Sequence, residues 1–295
     1  FYTMAVAPKN KGEEDKIAQG INRLLDEDKT LRFENDAETK QLLLSAMGNM
    51  QIDVALSKLK SRNGLDVVLS APRIAYRETI KGRSDVQGKH KKQSGGHGQY
   101  GDVKIRFSPG EGDGLTFTQS VVGGSVPKNY FPAIEKGLLE AMQKGVLAGY
   151  PVVGLAADLY DGSYHDVDSN ELSFKMAASL AYKAGLPLAK PVLLEPIGEL
   201  KVTIPDSVVG AVMGDINSKR RGTVLGSNPA EGKPGYTTID AEVPKATMVE
   251  YTIDLRAMTQ GKGSYSFYFV RYDEVPGSEA QKIIAEAKAN MSEED

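Results

Sequence analysis

The sequence predicts an α+β protein of three successive blocks, the outer two sharing one architecture and the middle one differing. Three observations lead there. The order strand, helix, strand, strand, helix, strand occurs in residues 1–77 and again, with unrelated residues, in 196–277. Residues 78–195 break that order. The length, 295 residues, also exceeds what one hydrophobic core ordinarily organises.

In the first block, residues 3–7 alternate as a strand, and 12–28 carry Ile17, Ile21, Leu24 and Leu25 at the spacing of one helix face. Strands over 31–34 and 41–46 follow, then a helix marked by Ile52, Ala55, Leu56 and Leu59, then a strand over 65–70. This is the split βαβ, ferredoxin-like arrangement, with two helices over one face of a four-stranded antiparallel sheet. The middle block offers strands at 103–107, 115–122 and 152–159 and helices at 130–144 and 169–184. The third block repeats the ferredoxin-like order: a strand at 200–204, a helix over Val208, Val209, Val212 and Ile216, strands at 222–226 and 237–243, a helix from Ala246, and a strand at 264–272. Residues 278–295 supply a further helix and an acidic end, Ser292-Glu293-Glu294-Asp295, expected to be solvated and frayed.

With 40% hydrophobic and 25% charged residues the composition is that of a soluble globular protein, and no apolar run is long enough to cross a bilayer. The chain has no cysteine, which excludes disulfides, thiolate catalysis and sulfur-ligated zinc and fits a reducing cytoplasm. Its start, Phe1-Tyr2-Thr3-Met4-Ala5-Val6, has neither initiator methionine nor signal peptide and is expected to continue a longer chain. The formal charge of -3 is unevenly spread: 81–106 hold seven Lys/Arg against Asp85 and Asp102.

Within that basic segment, Gly96-His97-Gly98-Gln99-Tyr100-Gly101-Asp102-Val103 fits the glycine pattern of a kinase nucleotide loop. A kinase also needs a lysine strand, an H-R-D loop and a D-F-G magnesium site, and none is present. A dinucleotide fingerprint would follow a buried strand and open a helix, whereas here a polar segment precedes and a strand follows. What Ser94, Gly95, Gly96, Gly98 and Gly101 do permit is close approach of backbone to a partner. Lys89, Lys91 and Lys92 add ammonium groups for phosphates, Gln99 an amide and Tyr100 a ring, a combination suited to RNA; a plain solvated hairpin is the competing reading.

The second candidate is Asp161-Gly162-Ser163-Tyr164-His165-Asp166-Val167-Asp168-Ser169-Asn170-Glu171. Its acidic spacing starts like a calcium loop, but Glu171 stands where glycine is required and Ala177 where the bidentate carboxylate belongs. Asp168 is expected to cap the next helix, with Glu171 completing a capping box, which leaves Ser163, Tyr164, His165 and Asp166 for presentation to a partner. The histidines, His90, His97 and His165, lack the local pairing of a zinc site. The third candidate is Lys219-Arg220-Arg221 between a helix and a strand, where charge beyond the needs of the helix dipole suits RNA phosphate; Lys262 lies in a second basic turn.

Taken in order, SGGHGQYGDV, VPKNYFPAIEKG with GVLAGYPV, DGSYHDVDSNELSFKMAA, KPVLLEPI, GDINSKRRG and GSYSFYFVRYDEVP resemble the last three domains of elongation factor G, the bacterial translocation GTPase; MGNMQIDVALSKLK with APRIAYRETI resembles its third domain. The resemblance runs from end to end. It implies ferredoxin-like third and fifth domains (1–77 and 196–277) flanking an elongated fourth domain (78–195) of the ribosomal-protein-S5-domain-2-like fold. By it, Lys91, Lys92 and 94–100 would form one RNA-facing tip loop of the fourth domain and 163–166 the other, reaching tRNA and mRNA in the decoding region. Lys219, Arg220, Arg221 and Lys262 would face large-subunit RNA. It further implies a cytoplasmic, monomeric factor that binds the ribosome and promotes translocation, with GTP and magnesium held by a GTPase domain outside this chain and no catalysis or cofactor within it. Departures from the family pattern, His97 in place of arginine, Asn49-Met50-Gln51 and Gln260-Gly261-Lys262-Gly263, point to an elongation factor G-like paralogue. Recycling or ribosome protection are the alternative roles, and a phosphotransferase the alternative class.

Overall fold

The computed structural model describes residues 1–294, with side chains to Ser292; the last three residues of the expected acidic end lie outside the residues described in full. Contacts divide the chain into two compact units, Phe1–Ala75 with Glu195–Tyr272, and Tyr76–Leu194 with the chain from Asp273 onward.

In the first unit, β1 (Tyr2–Pro8), α1 (Glu14–Glu27), β2 (Arg32–Asp36), β3 (Gln41–Ala46), α2 (Asn49–Asn63) and β4 (Val67–Ser70) follow one another. The antiparallel sheet has order β2-β3-β1-β4, with Ala5 opposite both Leu43 and Ser70. Helical spacing puts Ile17, Ile21 and Leu24 of α1 and Ile52, Ala55 and Leu59 of α2 on the sheet side, where all are buried. Each such leucine or isoleucine contributes about 1.5–3 kcal/mol. Gly64, in the left-handed region at φ 63°, ends α2 by donating its N–H to the carbonyls of Leu59 and Lys60.

The second unit holds β5 (Arg77–Ile80), β6 (Ser84–Lys92), β7 (Gln99–Pro109), β8 (Leu115–Gln119), α3 (Phe131–Ala141), β9 (Leu155–Ser163) and α4 (Glu171–Gly185). Its sheet has order β6-β7-β9-β8, antiparallel except for the β8–β9 pair. Val103, Ile105, Phe107, Leu155, Ala157 and Leu159 point to the core shared with α3 and α4. The opposite face carries a charged lattice in which Arg106 meets Asp85 at 3.8 Å and Asp158 at 3.9 Å, and Lys104 meets Asp161 at 3.7 Å. The Glu78 side chain on β5 is buried, its carboxyl oxygens accepting the N–H groups of Leu147, Ala148 and Tyr150 at 2.7–3.1 Å.

The strand β10 (Pro191–Pro205) pairs its first residues with β5 and contributes the remainder to the first unit. There α5 (Val209–Asn217), β11 (Thr223–Pro229), β12 (Tyr236–Pro244), α6 (Tyr251–Thr259) and β13 (Ser264–Glu274) complete the second ferredoxin-like domain, with sheet order β11-β12-β10-β13. Leu200, Val202, Ile204, Val212, Ile216, Ile239 and Tyr251 form its core. The final helix, α7 (Gly277–Glu294), belongs to the second unit. Among the described residues no helix is long and apolar enough to cross a membrane.

Two strands escaped the sequence reading. In β6 the core-facing positions are Val86, Gly88 and His90, which carry little apolar signal. The strand exists because α4 lies almost against its backbone: a Cβ on Gly88 would sit 2.1 Å from the Ala177 carbonyl oxygen. The other, β5, is short and held by its pairing with β10. The expected strand at 152–159 begins later and runs on to Ser163, pairing with β7 through what looked like a loop. Toward 115–122 the strand stops at Gln119, and Val122 is 84% exposed.

Candidate nucleic-acid interface

The turn between β6 and β7 and the segment between β9 and α4 meet at one end of the middle domain. Alanine and glycine make the frame rigid. Ala177 and Ala181 of α4 lie against Gly88 of β6 and Ala178 against Gly137 of α3, and Gly101 on β7 leaves room for the helix, since a Cβ there would lie 2.4 Å from the Ser173 carbonyl oxygen. The helix start is thereby held against the base of the β6–β7 turn.

The structure corrects the expected cap. Asn170, not Asp168, is the N-cap; its side-chain oxygen accepts the Ser173 N–H at 2.8 Å, and Glu171 is exposed. Asp168 turns instead toward the other loop, accepting the Gly98 N–H at 3.0 Å on its carboxylate and the Tyr100 N–H at 2.9 Å on its carbonyl. Ser169 adds a third link, its Oγ donating to the Tyr100 carbonyl at 2.8 Å. Sequence reasoning passed over Asp168 in this role because capping by the nearest Asp or Asn is a local rule, whereas its partners lie about seventy positions away.

Below these links is a polar core. Tyr100 OH donates to Ser163 Oγ at 2.6 Å, Ser163 Oγ donates to Asp102 at 2.6 Å, and Gln87 donates to the other Asp102 oxygen at 2.7 Å. Asp102 is only 6% exposed, so this chain of bonds fixes Tyr100 and Ser163 as parts of the scaffold. Lys89 sits 5.5 Å from the centre of the Tyr100 ring, and His90 Nε2 shares a 2.8 Å hydrogen bond with Gln99.

Above them the loops are open. Lys91, Lys92, Ser94, Gly95, Gly96 and His97 are exposed, as are Tyr164, His165 and Asp166. Gly95 and Gly96 have φ of 48° and 105°, which a side chain would resist, so the turn depends on them. The Nδ1 of His165 accepts from the N–H groups of Val167 and Asp168 at 3.3 Å each; the neutral ring then carries its proton on Nε2 as a donor. Gly98 is a correction. It is buried, and its N–H is taken by Asp168, so it joins the two loops and has no free backbone donor for RNA.

The basic run of the second ferredoxin-like domain also divides. Arg220 is 2% exposed, which overturns its reading as an RNA contact. Its guanidinium donates to Asp215 at 3.1 Å, to the Thr247 carbonyl at 2.6 Å and to Asp254, and it lies 4.9 Å from the centre of the Tyr251 ring. A cation that has lost its water must recover partners inside the fold, and this one has three. Burial raises the Asp254 pKa, but hydrogen bonds from Lys219 and Arg220 outweigh it and hold the carboxyl below its ordinary range. Arg221 makes a bidentate pair with the buried Glu195, both bonds 3.0 Å long. Lys219 is exposed while bonded to Asp254 at 2.8 Å, and Lys262 is exposed in the turn after α6.

Comparison with known proteins accounts for this order of domains. Family models match in succession: Elongation Factor G, domain III over residues 1–71, Elongation factor G, domain IV over 72–190, and Elongation factor G C-terminus over 192–283. Together they define consecutive domains of a translation elongation factor. The chain is 46% identical over 296 residues to an elongation factor G-like protein of Thermotoga maritima, a match covering all of this chain and 43% of that protein. A crystal structure from Thermus thermophilus matches with TM-score 0.84 and 44% identity, covering 98% of this chain and 43% of the other. The chain belongs to the elongation factor G family, and it spans less than half the length of these relatives.

Proposed function

We propose that this chain is the ribosome-binding part of an elongation factor G-like GTPase, and that its middle domain promotes movement of tRNA and mRNA by inserting its double-loop end at the decoding region. The observation that carries the reading is that end itself: two exposed loops from separate strands, hydrogen-bonded into one body by Asp168 and Ser169 and rimmed by Lys91 and Lys92. Among the described residues neither lysine makes an ion pair. A rigid, polar, cationic projection suits crowded polynucleotide, where phosphates supply the charge and close backbone approach supplies the fit. GTP and magnesium would be bound by a separate domain of the whole factor, and the factor would act as a cytoplasmic monomer.

The test is binding of the chain to purified ribosomes across a range of salt concentrations. Affinity should fall steeply with salt, and Lys91→Ala with Lys92→Ala should flatten the dependence by roughly 0.7–0.9 in log–log slope for each phosphate no longer neutralised. An unchanged slope would remove the loops from the interface. Roles in recycling or ribosome protection would be separated by which step fails when the loops are altered. A phosphotransferase would instead bind ATP or GTP through 96–101, which calorimetry on the chain would detect.

A further inference from the structure

The first domain carries a second cationic feature, unrelated to the loops. Where α1 crosses α2 the helices touch at Gly20; a Cβ there would come 2.6 Å from the Leu59 side chain. Beside this contact is a notch of about 150 Å³ lined by Lys16, Gln19, Gly20, Arg23, Asn63 and Leu65. Lys16 stands one turn before Gly20 and Arg23 one turn after it, about 10.5 Å apart along the helix axis. One group seated over Gly20 is within reach of both flexible side chains, and the Gln19 and Asn63 amides can donate to it.

The charges of this seam are unbalanced in the way an anion site requires. The Glu27 carboxylate, on the same face of α1, is already taken by Arg62 at 2.5 Å and Lys58 at 3.5 Å. Glu13, a turn before Lys16, makes no ion pair with it. Lys16 and Arg23, the two cations lining the notch, have no acidic partner among the described residues, as is true also of Lys9, Lys11, Arg32, Lys40 and Arg73, whereas Lys29, Lys58, Lys60 and Arg62 of the same domain are paired. Of the carbonyls ending α2 beside the notch, those of Leu59 and Lys60 accept the N–H groups of Leu65 and Gly64, which covers part of the negative end of that helix.

We propose that this notch binds a backbone phosphate of ribosomal RNA, giving the chain a nucleic-acid contact on its first domain separate from the loops of the middle one. The proposal rests on the ribosome-binding reading. A phosphodiester is favoured over a protein partner because the anchors that dominate protein interfaces are aromatic or arginine side chains in desolvated pockets, whereas the notch holds no aromatic residue and its Arg23 is exposed. The exposed large apolar side chains of this domain, Phe1, Met47, Met50, Val54 and Val68, all lie outside the notch.

Ribosome binding by the whole chain, titrated with potassium chloride, tests it. Lys16→Gln with Arg23→Gln should lower the log–log salt slope by about 0.7–0.9, for the one phosphate no longer neutralised, and weaken binding roughly five- to eightfold at about 0.1 M salt. Both residues are exposed, and unchanged circular dichroism would verify the fold. Because the chain has no cysteine, Asn22→Cys provides a unique attachment point for a photocrosslinker beside Arg23, and it should label RNA. An unchanged slope, or labelling confined to ribosomal proteins, overturns the proposal. So does saturable binding of inorganic phosphate that is lost in the double variant while the ribosome slope stays the same, since the notch would then be a small-anion site. If the unaltered chain fails to bind ribosomes, the proposed function falls; if binding persists and responds only to Lys91 and Lys92, the notch alone is refuted.

Discussion

Replacing Asp168 with alanine should uncouple the two loops while leaving the domain folded. The Asp168 carboxylate accepts the N–H of a buried residue, Gly98, at 3.0 Å, so truncation strands that donor. Hydrogen bonds to an ionised acceptor contribute about 1.5–3 kcal/mol. The Asp168 side chain is 23% exposed, and water can partly replace it, which brings the expected loss to about 1–2 kcal/mol. That is a factor of roughly 5–30 in the equilibrium for local opening. Native-state hydrogen exchange reads this directly: the Gly98 amide should exchange about tenfold faster in Asp168→Ala. Tyr100, bonded to the Asp168 backbone carbonyl at 2.9 Å, should be affected less. Asp168→Asn keeps an acceptor and should fall between the two. If Gly98 exchange is the same in all three proteins, the carboxylate does not hold the loops together and the account of a single rigid tip fails.

Other consequences follow from the same geometry. Gly88→Ala forces a methyl group into the Ala177 carbonyl and should cost about 1–3 kcal/mol in denaturant unfolding; a neutral result would mean that α4 is free to lift from β6. Arg220→Ala leaves Asp215 and Asp254 without their buried partner and should destabilise the second ferredoxin-like domain by about 3–5 kcal/mol, whereas Lys262→Ala should leave the melting temperature unchanged. Because the folded-state pKa of Asp254 is depressed, its stabilisation is present above the ordinary carboxyl range and is lost as pH falls below it. Acid unfolding of Asp254→Asn should therefore show a shallower pH dependence below about pH 4. In a full-length factor, His165→Ala should slow mRNA movement, followed by fluorescence, with ribosome-stimulated GTP hydrolysis near normal; loss of hydrolysis would assign the residue to another step.

Much of the fold was legible because its signals are local. Ile17, Ile21 and Leu24 lie on one helix face by periodicity alone, and the alternation of 103–107 marks a strand. The strand β6 was hidden because, after Val86, its inward positions are glycine and histidine, and the approach of α4 explains the glycine. The two loops could be named from their motifs as separate segments. Their union could not, since a carboxylate at 168 and an amide at 98 share no local pattern.

The amino-acid order therefore settled the succession of helices and strands apart from β5 and β6, the alanine and glycine composition that permits close packing, and membership of the elongation factor G family. Tertiary structure alone decided which charges are available. Lys91 and Lys92 stay in water, while Arg220, equally basic in sequence, is enclosed by Asp215, Asp254 and the Thr247 carbonyl. The reason is physical: helix and strand preferences act over a few residues, but the solvation of an ion depends on whatever the completed fold brings around it.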